Sequence, residues 1–156
     1  MQHTLILCQV LVVIFIALHD WLPLGKLNNL TGVRAVDTRG RLAITTVMSA
    51  LPFAAVLAAS IPFASTGFPG WLLSWLWITY LVCALGILRA WWIPYFTAPD
   101  PTRAERYRVR FAGTHGFLPL RNGIRPDTLH VAFHALVVAA LVLLGLVTFA
   151  SRQAGQ

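Results

Sequence analysis

The sequence predicts an all-α integral membrane protein, a single polytopic domain over residues 1–156 built on four transmembrane helices. Three observations predict it. Of the residues, 58% are hydrophobic and only 11% charged, where soluble domains carry about 25% charged residues. Apolar stretches recur at residues 4–24, 42–63, 71–96 and 129–150, each close to the ~20 residues that cross ~30 Å of hydrocarbon at ~1.5 Å per residue. Positive charge alternates from one connection to the next, in step with four spans.

The first stretch is expected to be a permanent helix rather than a signal peptide. Residues 1–8 carry no Lys or Arg, and the run passes into LHDWLPLGK instead of a small-residue cleavage site. LILC before Gln9 is a poor lipoprotein match, because Leu7 is bulky where a small residue is wanted. The second stretch holds Pro52, which removes a backbone donor and frees the Met48 carbonyl. Thr45 and Ser49 are placed to help satisfy that carbonyl, and a kink is expected. The third is bracketed by Trp71, Trp75 and Trp77 at one end and by Trp91, Trp92, Tyr95 and Phe96 at the other, as interfacial anchors. Before the fourth, Asp127 is placed to cap the helix. Small residues four apart, such as Gly86 with Ala90 and Ala135 with Ala139, read as ordinary close helix packing. Cys8 and Cys83 fall at different depths and outside any CxxC pair, so both are expected to be free.

Connection 25–41 holds Lys26, Arg34, Arg39 and Arg41, and connection 97–128 holds Arg103, Arg106, Arg108, Arg110, Arg121 and Arg125. ASTGFPG, between the second and third stretches, has none, and Arg152 stands alone near the carboxyl end. By the positive-inside rule both basic loops are cytoplasmic, and both termini lie on the outer side of a bacterial-type inner (plasma) membrane. The net charge of +7 then points to the bilayer and its anionic lipid head groups as partner. Nucleic acid is not expected, since no zinc-finger spacing or RNA-binding signature accompanies the arginines.

The long basic cytoplasmic loop, 97–128, is too specific in composition to be a spacer. In TRAERYRVRF, Thr102 and Glu105 can form a capping box, and Arg106 to Arg110 a short basic amphipathic helix on the inner leaflet. Its six arginines are expected to contact lipid or anion phosphates. His115 is expected to reach the polar layer beneath, and Asn28 and Asn29 to cap or to bind head groups.

That layer arises because alternate spans run in opposite directions. His19 and Asp20 close the first helix, Arg89 lies about two turns before the end of the third, and His130 and His134 occupy the first two turns of the fourth. His134 is ~6 Å deeper than His130 and on the same face. Ionisable groups at membrane depth are costly, which makes His19, Asp20, Arg89, His130 and His134 a candidate ligand or ion site. The bland alternative is a set of interfacial side chains, with Arg89 snorkelling to the head groups.

Several chemistries fit the layer. A metal ion taking His130, His134 and His19 is one, and haem is another, with His19 and one of the pair as ligands. A dinuclear iron hydroxylase is disfavoured by the count of five histidines and five acids, most of the acids lying in loops. Proton-linked transport is a further reading, with His134 titrating, Asp20 partnering Arg89 and Pro52 as hinge, acting as an oligomer. A lipid-modifying activity with His134 or His115 as base lacks a nucleophile motif such as GxSxG. No reaction is assigned. The favoured expectation is a non-enzymatic accessory or lipid/anion-interacting membrane protein, a homo-oligomer or a subunit of a larger membrane complex. A metal- or haem-dependent oxidoreductase and a proton-coupled carrier are its rivals.

Overall fold

In this computed structural model residues 1–97 and 100–154 are described; residues 98 and 99 of the long loop, and 155 and 156, lie outside them. The described residues form helices and no strand. In chain order these are α1 (Gln2–Leu18), α2 (Leu30–Val36), α3 (Arg39–Ser60), α4 (Gly70–Ile87), α5 (Ile93–Phe96), α6 (Pro101–Arg110) and α7 (Thr128–Ala154). A 3₁₀ turn, Ile61–Phe63, extends α3, and a π turn, Leu88–Trp92, carries α4 into α5.

Three helical stretches are long and apolar enough to cross a membrane: Arg39–Phe63, Gly70–Phe96 and Thr128–Gln153. The first helix is apolar but shorter, 17 residues, about 26 Å at ~1.5 Å per residue. It ends at Leu18 and not at residue 24 as hydropathy predicts. The chain turns there because the Asn28 side chain gathers the next segment. Its Nδ2 donates to the carbonyls of His19 (2.6 Å) and Leu22 (2.7 Å), while its Oδ1 accepts from Leu24 N–H (2.9 Å).

The apolar helices pack in a ring, α1 against α3 and α7, and α4 against α3 and α7. Leu5 and Val12 of α1, Leu72, Leu76 and Tyr80 of α4, and Val137, Ala140 and Leu144 of α7 fill its centre. On α7 the buried positions 137, 140, 144 and 147 recur at three and four, one helix face. The opposite face, with Val138, Val142, Leu146 and Phe149, is equally apolar and exposed. Ile44, Val47, Met48 and Leu51 on α3, and Trp75, Ile78, Val82 and Leu85 on α4, complete an apolar belt around the ring. Each such side chain left in water forfeits about 1.5–3 kcal/mol, so the belt suits hydrocarbon.

Trp77 Nε1 donates to Thr148 Oγ1 of α7 at 3.1 Å. α3 runs unbroken from Arg39 to Ser60 through Pro52. Thr45 is not placed to relieve the proline, since its hydroxyl donates to the Arg41 carbonyl (2.8 Å). Both cysteines are free.

Met1, Phe63, Gly67 and Ala150 line one pocket, so the first residues, the α3–α4 connection and the end of α7 gather at one end of the ring. The opposite end carries α2 and α6, which lie against each other. Gly32 of α2 permits that approach: a Cβ there would stand 2.5 Å from the Val109 carbonyl oxygen and 2.7 Å from that of Arg110.

Candidate functional site

The loop end is organised by carbonyls that the third apolar stretch leaves unbonded. In the π turn Ile93 N–H bonds the Leu88 carbonyl, one residue further back than an α-helix allows. Pro94 has no N–H to offer Ala90. Side chains of α6 take the freed groups: Arg103 Nη1 donates to the Arg89 carbonyl at 2.6 Å and Tyr107 Oη to that of Ala90 at 3.1 Å. Asn122 Nδ2 donates to the Tyr95 (3.2 Å) and Thr97 carbonyls where α5 ends.

The helix that does this is capped two residues earlier than the expected capping box. Asp100 is its N-cap, accepting from Thr102 and Arg103 N–H, and Pro101 takes the first helical position. Glu105 instead pairs with Arg108 on the exposed face, which holds the Glu105 carboxyl below its ordinary range.

Two buried carboxylates anchor α6 from the other side. Asp37, just beyond α2, accepts from Arg106 Nη2 at 2.8 and 2.9 Å and from Arg110 Nη1 at 2.9 Å. Asp20, just beyond α1, accepts from Arg110 Nη2. Asp20, Arg110, Asp37 and Arg106 thus form an alternating chain of charges tying α6 to the segments after α1 and α2.

Of the five expected layer residues, four come together. His19 follows the last residue of α1, stacked on Phe15 at 4.5 Å and edge-on to His130 at 5.5 Å. Its Nδ1 donates to the Phe15 carbonyl (2.9 Å), and its Nε2 stands 3.4 Å from Asp20. Burial lowers the His19 pKa against the opposing pull of Asp20. His130 Nδ1 and backbone N–H both donate to Asp127 Oδ1, at 2.9 and 2.8 Å, so Asp127 caps α7 and fixes a histidine at once. His130 lies 4.7 Å from the Trp91 ring and His134 lies 6.0 Å from it. His134 is 6% exposed, and its Nδ1 has no hydrogen-bond partner among the described residues.

Arg89 does not join them. It is exposed, and Asp20 has Arg110 as its partner instead. His115 is also elsewhere: its Nδ1 meets Thr128 Oγ1 at 2.7 Å and its N–H bonds the Lys26 carbonyl, tying the two loops together. Most loop arginines have partners within the chain. Besides Arg103, Arg106, Arg108 and Arg110, Arg125 donates to the Thr114 carbonyl, and Arg121 lies over the Tyr95 ring. Asn29 caps α2, and Asn28 holds the turn after α1, so neither is left for head groups.

The metal reading does not fit this geometry. Among the described residues no group of three or more His, Cys, Asp or Glu side chains is placed to hold an ion. The His130 and His134 ring centres are 6.5 Å apart, wider than two imidazoles that reach one ion at ~2.1 Å in tetrahedral geometry.

Two cavities flank the histidines. One of about 580 Å³ is lined by Arg89, Arg103, Arg106 and Arg110, with Asp100, Trp91 and His130. The other, also about 580 Å³, is a largely apolar groove between α3 and α4, backed by Phe15, His19, Phe133 and His134. Sequence reasoning missed Asp37, Phe15, Trp91 and Tyr107. The spacing of Asp127 three before His130 carries the one local signal for that pair. Compared with known proteins, the chain matches no family model, no curated protein and no solved structure.

Proposed function

We propose that this is a multi-pass inner-membrane protein of accessory, non-enzymatic kind that holds the phosphate of an anionic amphiphile. On this reading α1, α3, α4 and α7 cross the bilayer, both termini face outward, and α2 and α6 lie at the cytoplasmic interface. One observation carries it: the arginine-lined cavity at the end of an apolar ring. Its charge is unbalanced. Arg106 and Arg110 are paired with Asp37 and Asp20, and Asp100 is engaged as the cap of α6. Among the described residues no carboxylate pairs with Arg89 or Arg103, whose only acceptor is a backbone carbonyl. Guanidinium groups in that state suit phosphate oxygens, which they can bind by two parallel hydrogen bonds. A basic helix bordering an apolar belt is also where anionic lipid concentrates.

Lipid retention in nanodiscs, read by native mass spectrometry, tests the reading. The wild-type chain is expected to retain phosphatidylglycerol over phosphatidylcholine, and Arg89→Gln with Arg103→Gln to abolish that preference. Equal retention by the wild type sinks it. For the topology, single cysteines at Ser65, Arg108 and Arg152, in a background lacking Cys8 and Cys83, are labelled with an impermeant thiol reagent. Ser65→Cys and Arg152→Cys are expected to react from one side and Arg108→Cys from the other.

A further inference from the structure

The two cavities meet. Gly86, Ala90, Trp91 and His130 line both the arginine-lined cavity and the apolar groove, and a Cβ at Gly86 would find nothing within 4 Å, so the junction is open there. Along α4 and its π turn, Arg89, Gly86, Val82 and Ile78 follow one another at about one turn, ~5 Å each. On α7, His130 precedes His134 by a turn. A ligand threading both cavities therefore meets cations first, then histidines, then hydrocarbon. The groove is lined by Met48, Trp75, Ile78 and Val82, all exposed on the outer face of the ring, so it opens sideways onto the belt.

His134 decides what the middle of that ligand must contain. It lines the groove, is 94% buried (6% exposed), and its Nδ1 has no partner among the described residues. That nitrogen is sealed from any ligand, so a groove occupant meets the ring through Nε2, which bonds no group among the described residues; an imidazole carrying its proton there calls for an acceptor from outside the chain. We infer that the occupant is one anionic glycerophospholipid with ester-linked chains. Its phosphate lies against Arg89 and Arg103, an ester carbonyl accepts from His134, and one chain lies along Pro52, Ile78 and Val82. This rests on the phosphate reading above and adds the chain linkage. A polyprenyl phosphate brings hydrocarbon directly after the phosphate and leaves His134 unanswered. An ether lipid brings an oxygen of weaker acceptor strength.

The test uses the full chain in nanodiscs of neutral lipid, with four competitors: diester phosphatidylglycerol, its diether analogue, a polyprenyl phosphate and inorganic phosphate. The diester is expected to bind about three- to tenfold more tightly than the diether, the worth of one hydrogen bond. His134→Phe is expected to bring that ratio to about one while keeping the preference for anionic over zwitterionic lipid, which also shows that the variant folds. His134→Gln, which returns an amide donor near the Nε2 position, is expected to retain the ester preference. Equal binding of diester and diether by the wild type overturns the inference alone, as does a polyprenyl phosphate binding as tightly. Inorganic phosphate competing as well as the lipid overturns any role for the groove. Loss of charge preference in the wild type overturns the phosphate reading, and this inference with it.

Discussion

Replacing Arg110 by Ala removes the one side chain that joins two buried carboxylates. The Arg110 side chain is 17% exposed, and the Asp20 and Asp37 side chains are 10% and 6% exposed. The two acids are left in different states. Asp37 keeps both bonds from Arg106 and a longer approach from Arg41 at 3.4 Å. Asp20 keeps only His19, at 3.4 Å. Breaking one partner of a buried pair costs about 3–5 kcal/mol. Because Asp37 stays paired and Asp20 lies beside the solvent-facing loops, about 2–3 kcal/mol is expected. That raises the opening equilibrium of α6 by about 30- to 140-fold, at ~1.4 kcal/mol per decade. Hydrogen exchange of the α2 and α6 amides in detergent micelles measures it, while protection in α4 and α7 is expected to hold, since those helices share no partner with Arg110. Arg108→Ala, which loses only an exposed pair with Glu105, is the control and should leave exchange unchanged. Unaltered α6 exchange in Arg110→Ala, or equal loss of protection throughout the ring, would show that the charge chain does not hold α6 in place.

Gly32→Ala should loosen α2 from α6 by about 1–3 kcal/mol, because its Cβ meets two backbone carbonyl oxygens; Gly40→Ala, with open space around it, should instead stabilise α3 slightly, and paired denaturation midpoints separate them. Tyr107→Phe should cost about 1 kcal/mol by stranding the Ala90 carbonyl, and the cost should shrink when Pro94→Ala restores a backbone donor. A double-mutant cycle on thermal unfolding reads that coupling. His19, packed among Asp20, His130 and Arg110, has its pKa lowered in the fold from 6.5 by burial. The unfolded chain then binds more protons, so stability is intact above pH 6.5 and is lost as pH falls from there toward the depressed folded value. His19→Gln should flatten the denaturant midpoint between pH 7.5 and 5.

Apolar length alone located the four helices of the ring, and it erred where apolar residues do not continue the helix. Leu22 and Leu24 extend the hydropathy of the first stretch, but Pro23 and the three Asn28 bonds turn the chain after Leu18. Spacing brought His19, His130 and His134 to one level, because depth along a helix is a count of residues. It misassigned the partner of Asp20, because the direction a side chain faces depends on helix rotation. Arg89 faces outward, and the guanidinium that reaches Asp20 comes from 90 residues further along the chain. The start of α6 was legible and overlooked: Asp100 followed by Pro101 is a cap and first-turn signature. The π turn was not, since its register depends on side chains of α6 that exist only once the loop has docked.

The docking of α6 and the opening of the groove are linked through the same turn. An α-helical register through Leu88–Trp92 would return the Arg89 carbonyl to Ile93 N–H and remove the acceptor that Arg103 uses. Trp91 sits in that turn, buried against Tyr107 and Phe111 of the docked layer and against His130. It also forms part of the wall shared by the two cavities. A change of register rotates Trp91 about the helix axis by roughly 100°, one residue's turn at ~3.6 residues per turn. Such a rotation removes it from between the histidines and the arginines. The backbone irregularity, the arginine pairs and the shape of the junction therefore form one structural unit, and a substitution that releases α6 is expected to alter the groove as well as the loop.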